Sequence, residues 1–294
     1  MYKIKLFIKY IIMIFLYPKR KRKIVDLYND EDTIKMINKG YSIGRYGDGE
    51  ISLIIGKDIG FQKKNDKLTE RLQNIIEKYN SNKTSKFILG VPKAFNNCNG
   101  FLFEIKTYWL WYSFRNKKLI DKLMNNVKYA NANITRPYID YKKNDYSVFE
   151  KKFKLLKTIW NNKNVIIVEG EYTKLGVGND LFDNAKSIKR IVCPNENAFD
   201  KYNEIYASIV NNYNGELVLL ALGPTATILS FDLSQNENIQ CVDIGHVDVE
   251  YLWYIKRAQK KEAISGKYIN ESSNDDYKSD NDNEYKHQII SKII

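Results

Sequence analysis

The chain has 294 residues and a hydrophobic content of 44%, which is ordinary for a folded protein of one large or two small domains. Its net charge is +12, but residues 1–23 carry eight basic residues and no acidic residue. We therefore expect no nucleic-acid binding, which needs a basic surface on the folded domain. Three cysteines without paired spacing and only two histidines argue against a disulfide framework and a multi-histidine metal site, and they suit a reducing cytoplasm.

The N-terminal segment is apolar and then basic. Residues 4–17 are apolar except for Lys5 and Lys9, and residues 18–23 read Pro-Lys-Arg-Lys-Arg-Lys. The apolar stretch is shorter than the roughly 18–20 residues of a spanning helix, and no small-residue cleavage site follows it. We predict that residues 1–24 lie on an anionic membrane surface, which places the protein in the cytoplasm, peripheral on the inner face of the cell membrane. A core helix followed by a solvated charge run is the alternative.

From residue 25 onward, apolar runs alternate with helical patterns. Residues 25–39 predict an amphipathic helix, and strand-like runs lie at residues 41–43, 87–92, 165–170, 188–194, 217–224 and 239–245. Continuous apolar runs separated by helices are typical of parallel strands buried on both faces. The sequence therefore predicts an α/β fold with a Rossmann-like, doubly wound, mostly parallel sheet, in a single domain over residues 25–268. We expect the aromatic residues of 101–123 to be core, and the polar tail 269–294 to be flexible.

An acidic, glycine-rich motif follows the first predicted strand. It places Asp48 and Glu50 on either side of one glycine, directly after Arg45 and Gly47. Two carboxylates at this spacing can converge on Mg²⁺ or Mn²⁺, with substrate phosphates as further ligands. Alternatively, Asp48 caps the following helix and Glu50 is stabilised by the helix dipole.

Two glycine-bearing turns follow later strands, at the edge of the sheet where ligands bind in such folds. The backbone N–H groups of a helix that starts there can hold phosphate oxygens. A tight turn in the first case and helix capping in the second explain the same residues. The candidate donor-binding residues of these turns are Gly176, Gly178, Asn179, Asp180, Gly223 and Thr225.

The last predicted strand is followed by His246, Asp248 and Glu250. A histidine beside carboxylates at a strand end is placed for acid–base work, so these three are the candidate catalytic residues. Together with the acidic motif and the turns, they indicate a site for a nucleotide diphosphate donor and a divalent ion. A Mg²⁺-dependent phosphohydrolase or phosphotransferase, or a non-catalytic membrane-associated nucleotide-binding protein, are the competing readings.

The chain resembles the GT-D type glycosyltransferases, a former domain of unknown function that includes an enzyme extending glycans on streptococcal serine-rich-repeat adhesins. The resemblance covers roughly residues 25–258, and Tyr46 stands where the family more commonly has phenylalanine. The matching segments occur in the expected order: residues 45–50, 90–92, 134–138, 176–182, 193–194 with 197–199, 222–227 and 243–246.

This resemblance implies a UDP-sugar donor and a Mn²⁺ or Mg²⁺ ion held through Asp48 and Glu50, with Arg45 and Gly47 at the donor. It implies transfer to a hydroxyl of a glycan acceptor in cell-surface polysaccharide or glycoprotein glycan synthesis. The acceptor can be lipid-linked or protein-linked, and the N-terminal segment favours a lipid-linked one.

Overall fold

The structure, a computed structural model, describes residues 2–18, 25–125, 127–268 and 283–294. Its centre is one sheet of eight strands in the order β3-β2-β1-β7-β6-β4-β5-β8, and every pair of neighbouring strands is parallel. The strands are β1 (Ser42–Arg45), β2 (Phe87–Val91), β3 (Ala130–Asn131), β4 (Asn164–Gly170), β5 (Ser187–Cys193), β6 (Leu217–Ala221), β7 (Cys241–Asp243) and β8 (Ile289–Lys292).

Helices cover both faces of this sheet. Helices α2, α7 and α10 contribute to the core on one face, and α3, α4, α8 and α9 contribute to the cores on the other. The helices are α1 (Tyr2–Leu16), α2 (Asp30–Asn38), α3 (Asp48–Ile54), α4 (Asp66–Asn80), α5 (Phe103–Arg115), α6 (Lys117–Leu123), α7 (Tyr146–Lys157), α8 (Tyr202–Asn212), α9 (Pro224–Asn236), α10 (Val247–Ile255) and α11 (Asn283–Gln288).

Strand β6 illustrates why the apolar runs are continuous. Leu217 and Leu219 belong to the core under α7 and α10, whereas Val218 and Leu220 belong to the core under α8 and α9. Successive side chains of a strand point to opposite faces, so a strand covered on both sides needs an apolar residue at every position. The predicted doubly wound parallel sheet is therefore confirmed.

The neighbouring strands β1 and β7 lead to helices on opposite faces. Ile51 of α3, which follows β1, belongs to the core that contains Leu89. Val247 of α10, which follows β7, belongs to the core that contains Val242 on the other face. The two connections thus diverge at the carboxyl ends of β1 and β7, and this divergence creates the crevice in which open α/β sheets bind ligands.

Two boundaries differ from the sequence-based expectation. The first domain helix begins at Asp30 rather than residue 25, because the Asn29 side chain accepts a hydrogen bond from the Asp32 amide at 2.7 Å and caps it. The tail predicted to be flexible over 269–294 instead ends in α11 and the edge strand β8, which pairs with β5. Ile293 is buried in the core beside β5, so apolar burial fixes this short strand. Residues 269–282 lie outside the described part.

The N-terminal residues 2–16 form helix α1, which lies against α5. Within the described residues, none of the helices combines the length and apolarity needed to traverse a bilayer. The basic residues 19–23 that the sequence assigns to a membrane surface lie outside the described part.

Candidate functional site

A cleft of about 780 Å³ opens at the carboxyl ends of the strands, where the connections after β1 and β7 diverge. Its lining comes from the motif after β1, from α5 and from the segments after β3, β4, β5, β6 and β7. Charged and aromatic side chains of the lining include Arg45, Asp48, Glu50, Phe61, Tyr108, Trp109, Arg136, Asp140, Asp243, His246, Lys261 and Tyr268.

Arg45 joins the ends of β1 and β7 through the carboxylate and carbonyl of Asp243. Its Nη2 lies 2.6 Å from Asp243 Oδ1, and its Nε donates to the Asp243 carbonyl at 2.9 Å. Its Nη1 donates to Thr135 Oγ1 at 2.6 Å. Burial raises the pKa of Asp243, and the Arg45 guanidinium opposes that rise. Arg45 therefore bonds within the protein through all three guanidinium nitrogens, and it fixes the relative position of the two strand ends.

Gly245 allows this arrangement. Its φ is +44°, in the left-handed region that favours glycine, and a Cβ built there would overlap Nη2 of Arg45. The backbone after β7 thus passes directly over the guanidinium.

The acidic pair lies at the start of α3, on the cleft. Gly47 is the N-cap residue, and its amide donates to Glu50 Oε2 at 2.7 Å, so Glu50 caps the helix rather than Asp48. Asp48 Oδ2 accepts a hydrogen bond from the Tyr108 hydroxyl of α5 at 2.5 Å. Burial raises the pKa of Glu50 from 4.5 to about 7; the Gly47 amide opposes this shift and the Asp243 carboxylate adds to it. The capping alternative is therefore realised by Glu50, and it leaves both carboxyl groups on the cleft lining.

The two carboxylates alone do not form a complete protein metal site. Within the described residues, no group of three or more His, Cys, Asp or Glu side chains is arranged to hold an ion. Mg²⁺ commonly takes one or two carboxylates from the protein and completes its shell with water and substrate phosphates. A nearby cation also stabilises the ionised form of a buried carboxyl group that has a second carboxylate beside it. Asp48 and Glu50 fit an ion that is bound jointly with a phosphate-bearing substrate.

The three predicted catalytic residues separate because they lie at the start of helix α10, where successive positions face different directions. His246 precedes the helix and lines the cleft. Asp248 is fully buried and accepts hydrogen bonds from the Gly176 amide at 2.9 Å and from Lys267 Nζ at 2.5 Å. Glu250 is also fully buried, and its Oε2 accepts from two backbone amides, those of residues 138 and 139, each at 2.9 Å. The structure brings only His246 of this trio to the cleft lining.

The predicted glycine turns also separate. Gly223 lines the cleft, and a Cβ there would overlap the Phe61 ring, whereas Thr225 is fully buried in the first turn of α9. The segment after β4 borders the cleft as far as Leu175 and then turns away. The remaining predicted residues of that loop are Gly176, Gly178 and Asn179, which line a second cavity of about 630 Å³ beside α11, and Asp180, which pairs with Lys157 at 2.6 Å.

Sequence reasoning missed the aromatic and basic side chains of the cleft. Tyr108 and Trp109 of α5 line it, so the aromatic stripe that was expected to be core is core only in part. Arg136 and Lys261 add positive charge, and Arg136 lies within the matching segment 134–138 of the sequence. No motif signals Lys261 or Tyr268, because they follow α10 in an irregular segment that only the fold brings back to the strand ends.

Residues 43–272 match the family described as "Glycosyltransferase GT-D fold". Glycosyltransferase GlyD of Streptococcus pneumoniae serotype 4 is 35% identical over 266 residues, which are 90% of this chain and 32% of that protein. The Probable glycosyl transferase Gly of Streptococcus gordonii is 33% identical over 274 residues, which are 93% of this chain and 39% of that protein. The chain thus spans about a third of the length of these two curated relatives.

Solved structures resemble the whole fold. One is described as "The highly conserved domain of unknown function 1792 has a distinct glycosyltransferase fold"; it is 33% identical with a TM-score of 0.85, and the match covers 97% of this chain and 100% of that chain. Another is described as "A New Glycosyltransferase (DUF1792) from Streptococcus sanguinis"; it is 32% identical with a TM-score of 0.84, covering 92% of this chain and 100% of that chain.

Proposed function

Because this chain belongs to the GT-D-fold glycosyltransferase family, we propose that it transfers a sugar from a UDP-sugar to a hydroxyl of a glycan acceptor, with Mn²⁺ or Mg²⁺ at the donor. Glycosyl transfer itself follows from the family and from the names of the relatives. The donor, the metal ion and the acceptor are the proposed part. The observation that carries it is the placement of Asp48 and Glu50 on the cleft at the diverging ends of β1 and β7.

Asp48 and Glu50 would hold the metal ion together with the donor diphosphate. The ion supplies positive charge that stabilises the leaving diphosphate when it is bound. The Tyr108 hydroxyl holds Asp48 in place, and the Gly47 amide does the same for Glu50. This preorganisation matters because a misplaced carboxylate would lose much of the electrostatic stabilisation of developing charge.

The remaining side chains of the cleft divide between the donor and the acceptor. Arg45 is engaged with Asp243, so its proposed role is to position the acidic motif rather than to contact phosphate. Arg136 and Lys261 are the proposed contacts to the diphosphate, since both are cationic and line the cleft. Arg136 Nε lies 3.7 Å from Glu250 Oε1 and 3.8 Å from Asp140 Oδ2, which is a looser pairing than the 2.6 Å contact of Arg45. The rings of Tyr108 and Trp109 offer apolar faces for a sugar.

His246 is the proposed acceptor of the proton from the attacking hydroxyl, because it lines the cleft, whereas Asp248 and Glu250 are buried away from it. Histidine is the side chain that most often serves as a general base. The acceptor is proposed to be a glycan hydroxyl in cell-surface polysaccharide or glycoprotein glycan synthesis.

The test combines binding and turnover. We expect UDP with Mn²⁺ to raise Tm, since a ligand at 100 times its Kd adds about 2.7 kcal/mol, or several degrees at roughly 2–4 °C per kcal/mol. Asp48→Asn and Glu50→Gln should remove the part of the shift that needs Mn²⁺, and they should abolish release of UDP from UDP-sugars. Asp66→Asn is the matched control, because Asp66 is exposed and likewise begins a helix.

Three outcomes would contradict parts of the proposal. No Tm shift with UDP under any metal would refute the donor class. Release of inorganic phosphate in place of UDP would favour a phosphohydrolase. Full activity of Asp48→Asn and Glu50→Gln would refute the metal assignment while leaving glycosyl transfer in place.

A further inference from the structure

Helix α1 packs on the domain with one narrow face. Tyr10 and Met13 of α1 and Tyr17 just after it follow one another at the spacing of three and four residues that defines a helix face, and Met13 and Tyr17 are buried. The Tyr10 ring lies 5.0 Å from that of Phe103, and the Tyr17 ring lies 5.8 Å from that of Phe114. These aromatic contacts between α1 and α5, here called the aromatic seam, bury the apolar residues on one side of α1 only.

The other sides of α1 are apolar as well, and they face solvent. Of the fifteen large hydrophobic side chains that are exposed among the described residues, eight belong to this helix. Ile4 is 66% exposed, Ile8 52% and Phe15 79%. A helix that is apolar around its circumference is normally covered, and a contiguous exposed apolar surface of this kind marks a binding site for a membrane or a protein.

The charge at this surface distinguishes a membrane from a second protein. Lys5 is exposed and Lys9 lies partly exposed over the Trp111 ring. In the sequence, five basic residues and no acidic residue follow at positions 19–23, outside the described part. Lysine is depleted at the cores of protein interfaces, whereas lysine beside exposed Ile and Phe is typical of helices that lie in the headgroup region of anionic bilayers. Each basic residue near such a surface adds to the attraction.

We propose that α1 docks this chain on an anionic lipid bilayer by inserting its exposed apolar side chains, with α5 as the element between the bilayer and the cleft. Helix α5 touches α1 through Phe103 and Phe114 and lines the cleft through Tyr108 and Trp109. Packed helices are about 8–10 Å apart, so the cleft lies within two helix diameters of the membrane-facing side of α1. A lipid-linked glycan is therefore the acceptor class that this arrangement favours, and this second part rests on the proposed function.

The first test measures binding of the full chain to vesicles of phosphatidylcholine with and without phosphatidylglycerol, in the absence of any sugar nucleotide. Full-length variants are preferable to removal of residues 1–23, which would uncover the aromatic seam on α5. Ile8→Asn should weaken binding about tenfold, because the side chain loses its transfer into the apolar layer. Ile255→Asn is the matched control, since Ile255 is 49% exposed on α10, and its binding should equal that of the wild type.

Lys5→Gln tests the electrostatic part. We expect about fivefold weaker binding to vesicles that contain phosphatidylglycerol and no change on phosphatidylcholine alone. Absence of vesicle binding, or equal losses in Ile8→Asn and Ile255→Asn, would overturn the proposal. A dimer that Ile8→Asn dissociates in sedimentation velocity, without vesicle binding, would show that a second copy covers α1.

The same variants separate this proposal from the proposed function. Ile8→Asn lies outside the cleft, so its Tm shift with UDP and Mn²⁺ should match the wild type. The role of α1 is supported if Ile8→Asn loses vesicle binding but keeps the Tm shift with UDP and Mn²⁺ and the stability of the wild type. An absent UDP shift with intact vesicle binding refutes the donor site alone.

Discussion

Substitution of Gly245 by alanine tests whether the contact between Arg45 and the backbone after β7 organises the cleft. Gly245 has a φ of +44°, and an added Cβ would overlap Nη2 of Arg45. The guanidinium cannot move away freely, because it is bonded to Asp243 and Thr135 at distances of 2.6–2.9 Å. Alanine at this position therefore forces either the backbone or the ion pair to change.

The expected loss in the free energy of unfolding of Gly245→Ala is the sum of two contributions. A non-glycine residue in the left-handed region costs about 1–2 kcal/mol. Displacement of the guanidinium leaves the buried Asp243 carboxylate without its counter-charge, which costs about 3–5 kcal/mol. We expect Gly245→Ala to lower the free energy of unfolding by about 4–7 kcal/mol in total.

Gly215→Ala is the matched control for the backbone contribution. Gly215 has a φ of +88°, and an added Cβ meets no atom within 4 Å, so only the cost of about 1–2 kcal/mol applies. Urea denaturation of both variants measures the difference, and Tm should fall by a few degrees for Gly215→Ala and by about 10 °C or more for Gly245→Ala. In an Arg45→Met background, Gly245→Ala should cost no more than Gly215→Ala. Equal stability of the two single variants in the Arg45 background would refute the reasoning.

Two further predictions concern buried carboxyl groups. Asp248→Asn should lower the free energy of unfolding by about 3–5 kcal/mol, because it leaves the Lys267 ammonium buried and unpaired. In urea denaturation, adding Lys267→Met to the same chain should restore part of this loss. Equal stability of the single and double variants would contradict the pairing. Burial raises the pKa of Glu250 from 4.5 to about 7, so its protonated form stabilises the fold below about pH 4.5 and this contribution is lost as the pH rises through 7. Glu250→Gln should therefore gain up to about 3 kcal/mol relative to the wild type between pH 5 and pH 8, and parallel stability curves of the two proteins would contradict the shift.

The sheet could be predicted from the sequence because burial on both faces requires apolar residues at consecutive positions. Strands β4 and β6 appear as short continuous apolar runs, Val165–Val168 and Leu217–Leu220. Strand β3 has two residues, and β8 has four residues behind a polar stretch, so neither produces a pattern of its own. Their positions depend on pairing with β2 and β5, which is tertiary information.

The sequence predicts the position of a site residue best where that residue lies next to a strand end. The motif from Arg45 to Glu50 begins at the last residue of β1, and parallel strands bring their carboxyl ends to one edge, so its position on the cleft follows from the order of elements. The loop after β4 was less accessible to such reasoning. It borders the cleft at Gly170 and Leu175 but leaves before Gly176, whose amide binds Asp248 instead of facing the cleft. A glycine pattern reports that a turn exists, and it does not report the direction in which the turn leaves the sheet.

The bonding of the Arg45 guanidinium within the protein affects how the cleft would bind a diphosphate. The guanidinium next to the acidic motif is the nearest basic group in the sequence, yet it is bonded to Asp243 and Thr135. Phosphate-bearing donors would then draw further positive charge from Arg136 and Lys261, which lie far from the motif along the chain but line the same cleft. Arg136 is held more loosely than Arg45, with its Nε 3.7 Å from Glu250 Oε1 and 3.8 Å from Asp140 Oδ2. Local sequence thus supplies the two carboxylates and the arginine beside them, whereas the fold brings the other basic side chains to the same cleft. The affinity for UDP should accordingly depend on how the segments after β3 and α10 are held at the strand ends.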